Sequence, residues 1–114
     1  MKREIGDYVQ DITEAMDKAI DFLESMSYDE FTQDDKTAFA VVRTLEIIGE
    51  AVKNIPDEVR KNYPEIPWKG MAGMRDKVIH EYFGVNLKLV WETAKERIPK
   101  IKPLFEEILK DLEK

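Results

Sequence analysis

The chain has no cysteine, which removes disulfide bridges, thiol nucleophiles and thiolate metal sites at once. Its single histidine, His80, is left with carboxylates as the only companions for a metal, and none stands at a zinc-type spacing from it, so neither metal nor cofactor is expected. Glycine is scarce, at five residues, and Gly70 and Gly73 lack the neighbours of a phosphate-cradling loop or a dinucleotide fingerprint. The two serines, Ser25 and Ser27, lie in an acidic stretch at a helix boundary, a poor setting for a nucleophile. No apolar run approaches the roughly 20 residues that span a bilayer, and the N-terminal stretch has no signal-type apolar segment. No membrane association and a cytoplasmic location are therefore expected.

Positive charge is also in short supply: 18 Lys+Arg stand against 24 Asp+Glu, a net charge of -6. That excludes a protein whose whole surface grips nucleic acid, because phosphate neutralisation by Lys and Arg dominates such binding. The deficit is uneven. Residues 1–50 hold 5 basic and 13 acidic residues, a balance of -8, whereas residues 69–102 hold 8 and 4, a balance of +4. A local anion-binding face in the second half survives that arithmetic.

What is present is helical patterning. A chain of 114 residues suits one domain, taken as 1–114, and its 43% apolar content is that of a folded protein, with 37% charged residues confining the core to narrow stripes. Tyr8, Ile12, Ala15, Met16, Ala19, Leu23 and Met26 recur at three- and four-residue steps and predict a helix over 6–26. Ser27-Tyr-Asp-Glu30 has the spacing of a capping box and announces a second helical start. Val41, Leu45, Ile48, Val52 and Ile55 predict a long helix from about Gln33 to Asn54, with Ala38, Ala40 and Gly49 offering close approach. Pro56 suits the first position of a short helical turn, and Pro64 and Pro67 break the chain into a loop through Trp68. A third major helix is expected from Trp68 or Gly70 to Phe83, stopped at Gly84. Asn86 caps a last helix with the stripe Val90, Trp91, Ala94, Ile98, Ile101, Phe105, Ile108 and Leu112, bent at Pro99 or Pro103. No strand pattern appears, and the fold class is all-α, a four- to five-helix up-and-down bundle.

The chemistry concentrates in Arg75-Asp-Lys-Val-Ile-His80-Glu-Tyr82. Histidine exchanges protons near neutral pH, and arginine stays charged and matches phosphate oxygens with a bidentate fork. Metal-free RNA cleavage needs the ribose 2′-hydroxyl deprotonated, charge on the phosphorane stabilised and the leaving oxygen protonated. One His and one Arg supply part of this. A five-residue step turns roughly 140° and rises about 7.5 Å, so Arg75 and His80 do not share a helix face squarely. Pairing two copies about a two-fold axis would gather two of each around one cleft, which predicts a homodimer with a composite site.

Arg75-x4-His80-x-Tyr82 resembles the RX4HXY motif of HepT-like toxins, within the HEPN superfamily of helical ribonucleases. Arg43-Thr-Leu-Glu-Ile-Ile-Gly-Glu-Ala51, Pro64-Glu-Ile-Pro-Trp68, Met71-Ala-Gly-Met-Arg75 and Val90-Trp-Glu92 resemble the same family in order and spacing, over most of residues 33–109. The resemblance implies a HEPN-like bundle, a homodimer, and RNase activity with Arg75 and His80 as catalytic residues. It also implies a cognate antitoxin, a minimal nucleotidyltransferase of the MntA type, that silences the toxin by transferring AMP from ATP to the motif tyrosine, here Tyr82. Lys69 and Lys77 are candidate RNA contacts from near the motif. Asp34 and Asp35 fit the positive end of a helix dipole and are left outside the site. Trp68 and Trp91 could stack bases, with core burial the stronger reading for both. Two other readings remain: a non-catalytic helical partner or substrate-binding subunit of a minimal nucleotidyltransferase, and a plain dimerisation module.

Overall fold

The computed structural model describes residues 3–79 and 86–113, and the side chains of all of these except Arg75, Val78 and Ile79. Its helices are α1 (Ile5–Leu23), α2 (Tyr28–Thr32), α3 (Asp35–Lys53), α4 (Asp57–Arg60), α5 (Trp68–Ile79), α6 (Leu87–Glu92) and α7 (Ile98–Leu112), with a π-helical turn, Thr93–Arg97, joining α6 to α7. Among the described residues there is no strand, and none of the helices is long and apolar enough to cross a membrane. The fold is an all-α, HEPN-like bundle.

Amphipathic periodicity builds it. Ile12, Ala15, Met16, Ala19 and Leu23 of α1 are buried against Val41, Leu45, Ile48 and Val52 of α3. On this pair, α5 packs along α3 and α7 along α1. Phe31 from the short α2 closes one end of the same core, its ring 5.4 Å from that of Trp91. Tyr28 meets Trp91 edge-on at 5.8 Å, and Lys95 lies over the indole, so Trp91 is a packing residue.

The helix starts follow local chemistry. Ser27 Oγ accepts from the Glu30 amide at 3.1 Å while Glu30 Oε1 accepts from the Ser27 amide at 2.9 Å, the reciprocal box expected there. Asp34 Oδ1 accepts from the Thr37 amide at 3.0 Å, and Asn86 Oδ1 from the Leu89 amide at 3.1 Å, so both residues cap. Hydrogen bonds from Thr37 hold the Asp34 carboxyl below the usual aspartate range.

Some boundaries depart from expectation. The first helix stops at Leu23, short of Met26, because Ser25 adopts a left-handed conformation, φ 64°, that redirects the chain into α2. Pro56 precedes α4 as its extended cap, φ -70° and ψ 155°, its carbonyl accepting from Val59 and Arg60, instead of occupying the first helical position. The irregularity in the last helix is a widened turn directly before Pro99. Proline has no N–H to donate and its ring crowds the carbonyl one turn back, which such a turn accommodates. Leu112, placed in the apolar stripe, is 43% exposed as the last residue of α7. The expected stop at Gly84 lies outside the described residues.

The segment between α3 and α5 is held from both sides. Arg60 Nε donates to the Ile55 carbonyl at 2.9 Å and its Nη2 to the Val52 carbonyl at 2.8 Å, closing the open end of α3. Arg60→Ala should cost about 1.5–3 kcal/mol, as lost charge-assisted bonds to carbonyls do, seen as a lower urea midpoint at unchanged slope. The Tyr63 hydroxyl donates to Asp111 near the end of α7. That bond, partial desolvation and the charges of Asp111 and Glu107 push the phenol up to about 12. Because the folded value is raised, the bond's contribution is complete below the ordinary tyrosine value of 10.0 and is lost as pH rises towards 12. An ultraviolet phenolate titration should show Tyr63 ionising late, and Asp111→Asn should bring that transition back towards the ordinary tyrosine value.

Candidate active site

The elements around the motif are set by α5. The Pro67 carbonyl accepts the Met71 amide at 2.9 Å, and Trp68 anchors the first turn. Trp68 is 8% exposed, its ring 5.4 Å from Phe105 of α7 in an edge arrangement, with Nε1 donating to the Tyr63 carbonyl at 3.1 Å and the Arg60 guanidinium over its face. An indole so enclosed has no free face on which to stack a base. It fixes the start of the helix that carries Arg75.

Along α5, Lys69 is exposed in the first turn and Lys77 exposed in the last. Arg75 belongs to the backbone of this helix, two residues before Lys77. His80 directly follows the final residue of α5, and both His80 and Tyr82 lie outside the described residues. The α5 face bearing Gly70, Met71, Met74 and Lys77 looks onto a cavity of about 110 Å³ shared with α3 and the α7 arm. Lys69 does not reach it. Across the cavity stand Thr93, whose hydroxyl contacts the Met74 sulfur at 3.8 Å, and Arg97. Sequence patterning passed over Arg97, which shares the rim with Lys77 although 20 residues separate them. The one signal in the sequence was Pro99, which marks the turn as irregular.

Arg97 is exposed, whereas two neighbouring cations are engaged. Lys95 donates to the Leu23 carbonyl at 2.8 Å, and Lys102 pairs with Asp17 and Glu106. Among the described residues, no three carboxylates or histidines are grouped so as to hold a metal ion. The arrangement is a basic-rimmed apolar recess beside the helix that leads into Arg75-x4-His80.

A family model described as "Ribonuclease HepT-like" matches residues 12–108. The chain belongs to the HepT-like ribonuclease family. A Methanocaldococcus jannaschii protein described as a "Putative RNase" is 55% identical over 98% of this chain and 93% of its own length. A Thermococcus cleftensis protein described as "Probable ribonuclease HepT" is 51% identical over 96% of this chain and 100% of its own. A third, from Caldanaerobacter subterraneus and described as a "Putative RNase", is 46% identical over 90% of this chain and 91% of its own. No solved structure gives a significant match. For a HepT-like chain the matched span takes in the whole Arg75–Tyr82 motif together with α3, α5 and most of α7.

Proposed function

We propose that residues 1–114 act as one domain, a metal-independent endoribonuclease and the toxin of a toxin–antitoxin pair. The observation that carries the reading is the sequence motif Arg75-x4-His80-x-Tyr82, within a span matched by the HepT-like ribonuclease model. In this reading His80 takes the proton of a ribose 2′-hydroxyl. The 2′-oxygen attacks the adjacent phosphorus, Arg75 neutralises the charge gathering on the phosphoryl oxygens, and the bond to the 5′-oxygen breaks as that oxygen gains a proton. The products are a 2′,3′-cyclic phosphate and a 5′-hydroxyl. A homodimer supplies a second His and Arg to the cleft, which answers the five-residue offset of the pair in the sequence.

Control falls to Tyr82. A cognate minimal nucleotidyltransferase of the MntA type transfers AMP from ATP to its hydroxyl: the phenolic oxygen bonds to the α-phosphorus and pyrophosphate leaves. The added nucleotide brings bulk and phosphate charge beside Arg75 and His80, blocking RNA and competing for the guanidinium. The cytoplasm, which holds both RNA and ATP, is the setting.

The test is cleavage of a cellular RNA pool by purified, unmodified protein in EDTA, with Arg75→Ala as the comparison. Cleavage by the wild-type protein and none by the folded variant supports the reading. No cleavage by unmodified dimer transfers the function to the non-catalytic partner reading, in which Tyr82 and the α5 surface serve a separate nucleotidyltransferase.

A further inference from the structure

The cavity between α3, α5 and α7 is walled by Leu45, Ile48, Met71, Met74, Ile98 and Ile101, and Lys77 and Arg97 stand at its rim. Neither cation has a carboxylate within ion-pair distance among the described residues. We propose that this recess is a nucleotide subsite for single-stranded RNA, taking one unpaired pyrimidine base against the apolar wall and the adjoining phosphate between Lys77 and Arg97. It rests on the ribonuclease reading above and names the part of the substrate that the site holds.

Size, wall chemistry and rim charge each narrow the occupant. A closed apolar cavity of roughly 150 Å³ accepts a benzene ring, so this recess of about 110 Å³ admits at most the edge of one six-membered ring, the rest projecting through its mouth, and excludes a fused purine. Met71 and Met74 offer thioethers, which pack favourably against ring edges. Thr93 is buried behind them with its hydroxyl turned to the Met74 sulfur, so the wall selects by shape and not by a hydrogen-bonding edge. A base in an A-form duplex keeps its faces stacked, and only an unpaired one can enter. An apolar peptide filling the recess would crowd two cations without supplying counter-charge, whereas a nucleotide brings a flat apolar body and an anion in one unit. Lys77 lies within the Arg75–Tyr82 segment of the sequence, which ties the recess to the motif by chain position.

The experiment measures binding of short labelled oligouridylate and oligoadenylate of equal length to the full chain carrying His80→Ala, in EDTA, so that the probes stay intact. Two further changes are added separately. One is the exposed pair Lys77→Ala with Arg97→Ala. The other is Gly70→Leu, at a cavity-lining position where an added Cβ meets nothing within 4 Å. The expected result is tighter binding of oligouridylate, weakened roughly 10-fold or more by either change. Only the double lysine–arginine change should flatten the salt dependence, by about 1.4 in log–log slope for two phosphate contacts on a single strand. Unchanged affinity in both variants overturns the subsite, and equal affinity for the two probes overturns the pyrimidine assignment. If Gly70→Leu instead converts dimer to monomer in sedimentation while RNA affinity holds, the recess belongs to a second copy and the proposal fails. Cleavage by the chain without His80→Ala is read in parallel. Cleavage with unaffected variants sinks the subsite alone, and cavity-dependent binding without cleavage sinks the ribonuclease reading alone.

Discussion

Replacing His80 by alanine is expected to slow RNA cleavage roughly a hundred- to ten-thousand-fold, the range that a positioned general acid–base group supplies. Only histidine changes charge near neutral pH without special surroundings, and this chain has one. No second residue of the type could take over within a protomer, so the loss should not be softened by a neighbour. The measurement is single-turnover cleavage in EDTA, with circular dichroism to establish that the variant is folded. A folded variant that cuts at the wild-type rate removes His80 from the chemistry. Mixing His80→Ala with Arg75→Ala protomers adds a sharper reading. If the site joins His80 of one protomer to Arg75 of the other, subunit exchange restores part of the activity that each variant lacks. If each protomer works alone, the mixture stays inactive.

Phe105→Ala should have the largest effect on stability, about 3–5 kcal/mol, from the lost transfer energy of the ring and the void left behind. Phe105 is fully buried and meets Trp68 at 5.4 Å, so its removal loosens both α7 and the first turn of α5. Total stabilities of about 5–15 kcal/mol make this a large fraction, and a melting temperature lower by on the order of 10–20 °C is expected for a chain of this size. Thermal unfolding followed by calorimetry checks it. A change under about 1 kcal/mol would mean that the core closes over the gap and that Trp68 is anchored by Arg60 and Tyr63 without its aromatic partner. Because Trp68 begins the helix that leads to His80, this variant should also cut RNA more slowly near its melting range.

The apolar stripes are legible in the order of residues alone, because a helix repeats every 3.6 residues and its buried positions must follow that period. Val41, Leu45, Ile48, Val52 and Ile55 are all buried as the spacing requires. The caps at Ser27 and Asn86 are legible for a similar reason: a side-chain oxygen reaches an amide three residues on, a wholly local bond. The early end of α1 is not, since the apolar step to Met26 continues while the backbone turns left-handed at Ser25. Leu112 keeps the period of α7 but lies beyond the neighbours that would cover it.

The candidate site divides along the same line. Arg75 and His80 are neighbours along one segment, so their types can be read directly and suggest phosphodiester chemistry without reference to packing, whereas the part given to Tyr82 comes from the family resemblance. The recess that Lys77 shares with Arg97 cannot be read in that way. It arises because α5 packs along α3 while the π turn and α7 pack along α1, leaving unfilled space lined from three separate stretches of chain, with that turn before Pro99 at its edge. Periodicity and capping act over a few residues and are written in the order of the side chains. The meeting of residues 45, 74, 77, 97 and 101 depends on how whole helices pack, which local order does not encode, and so only the tertiary structure decided it.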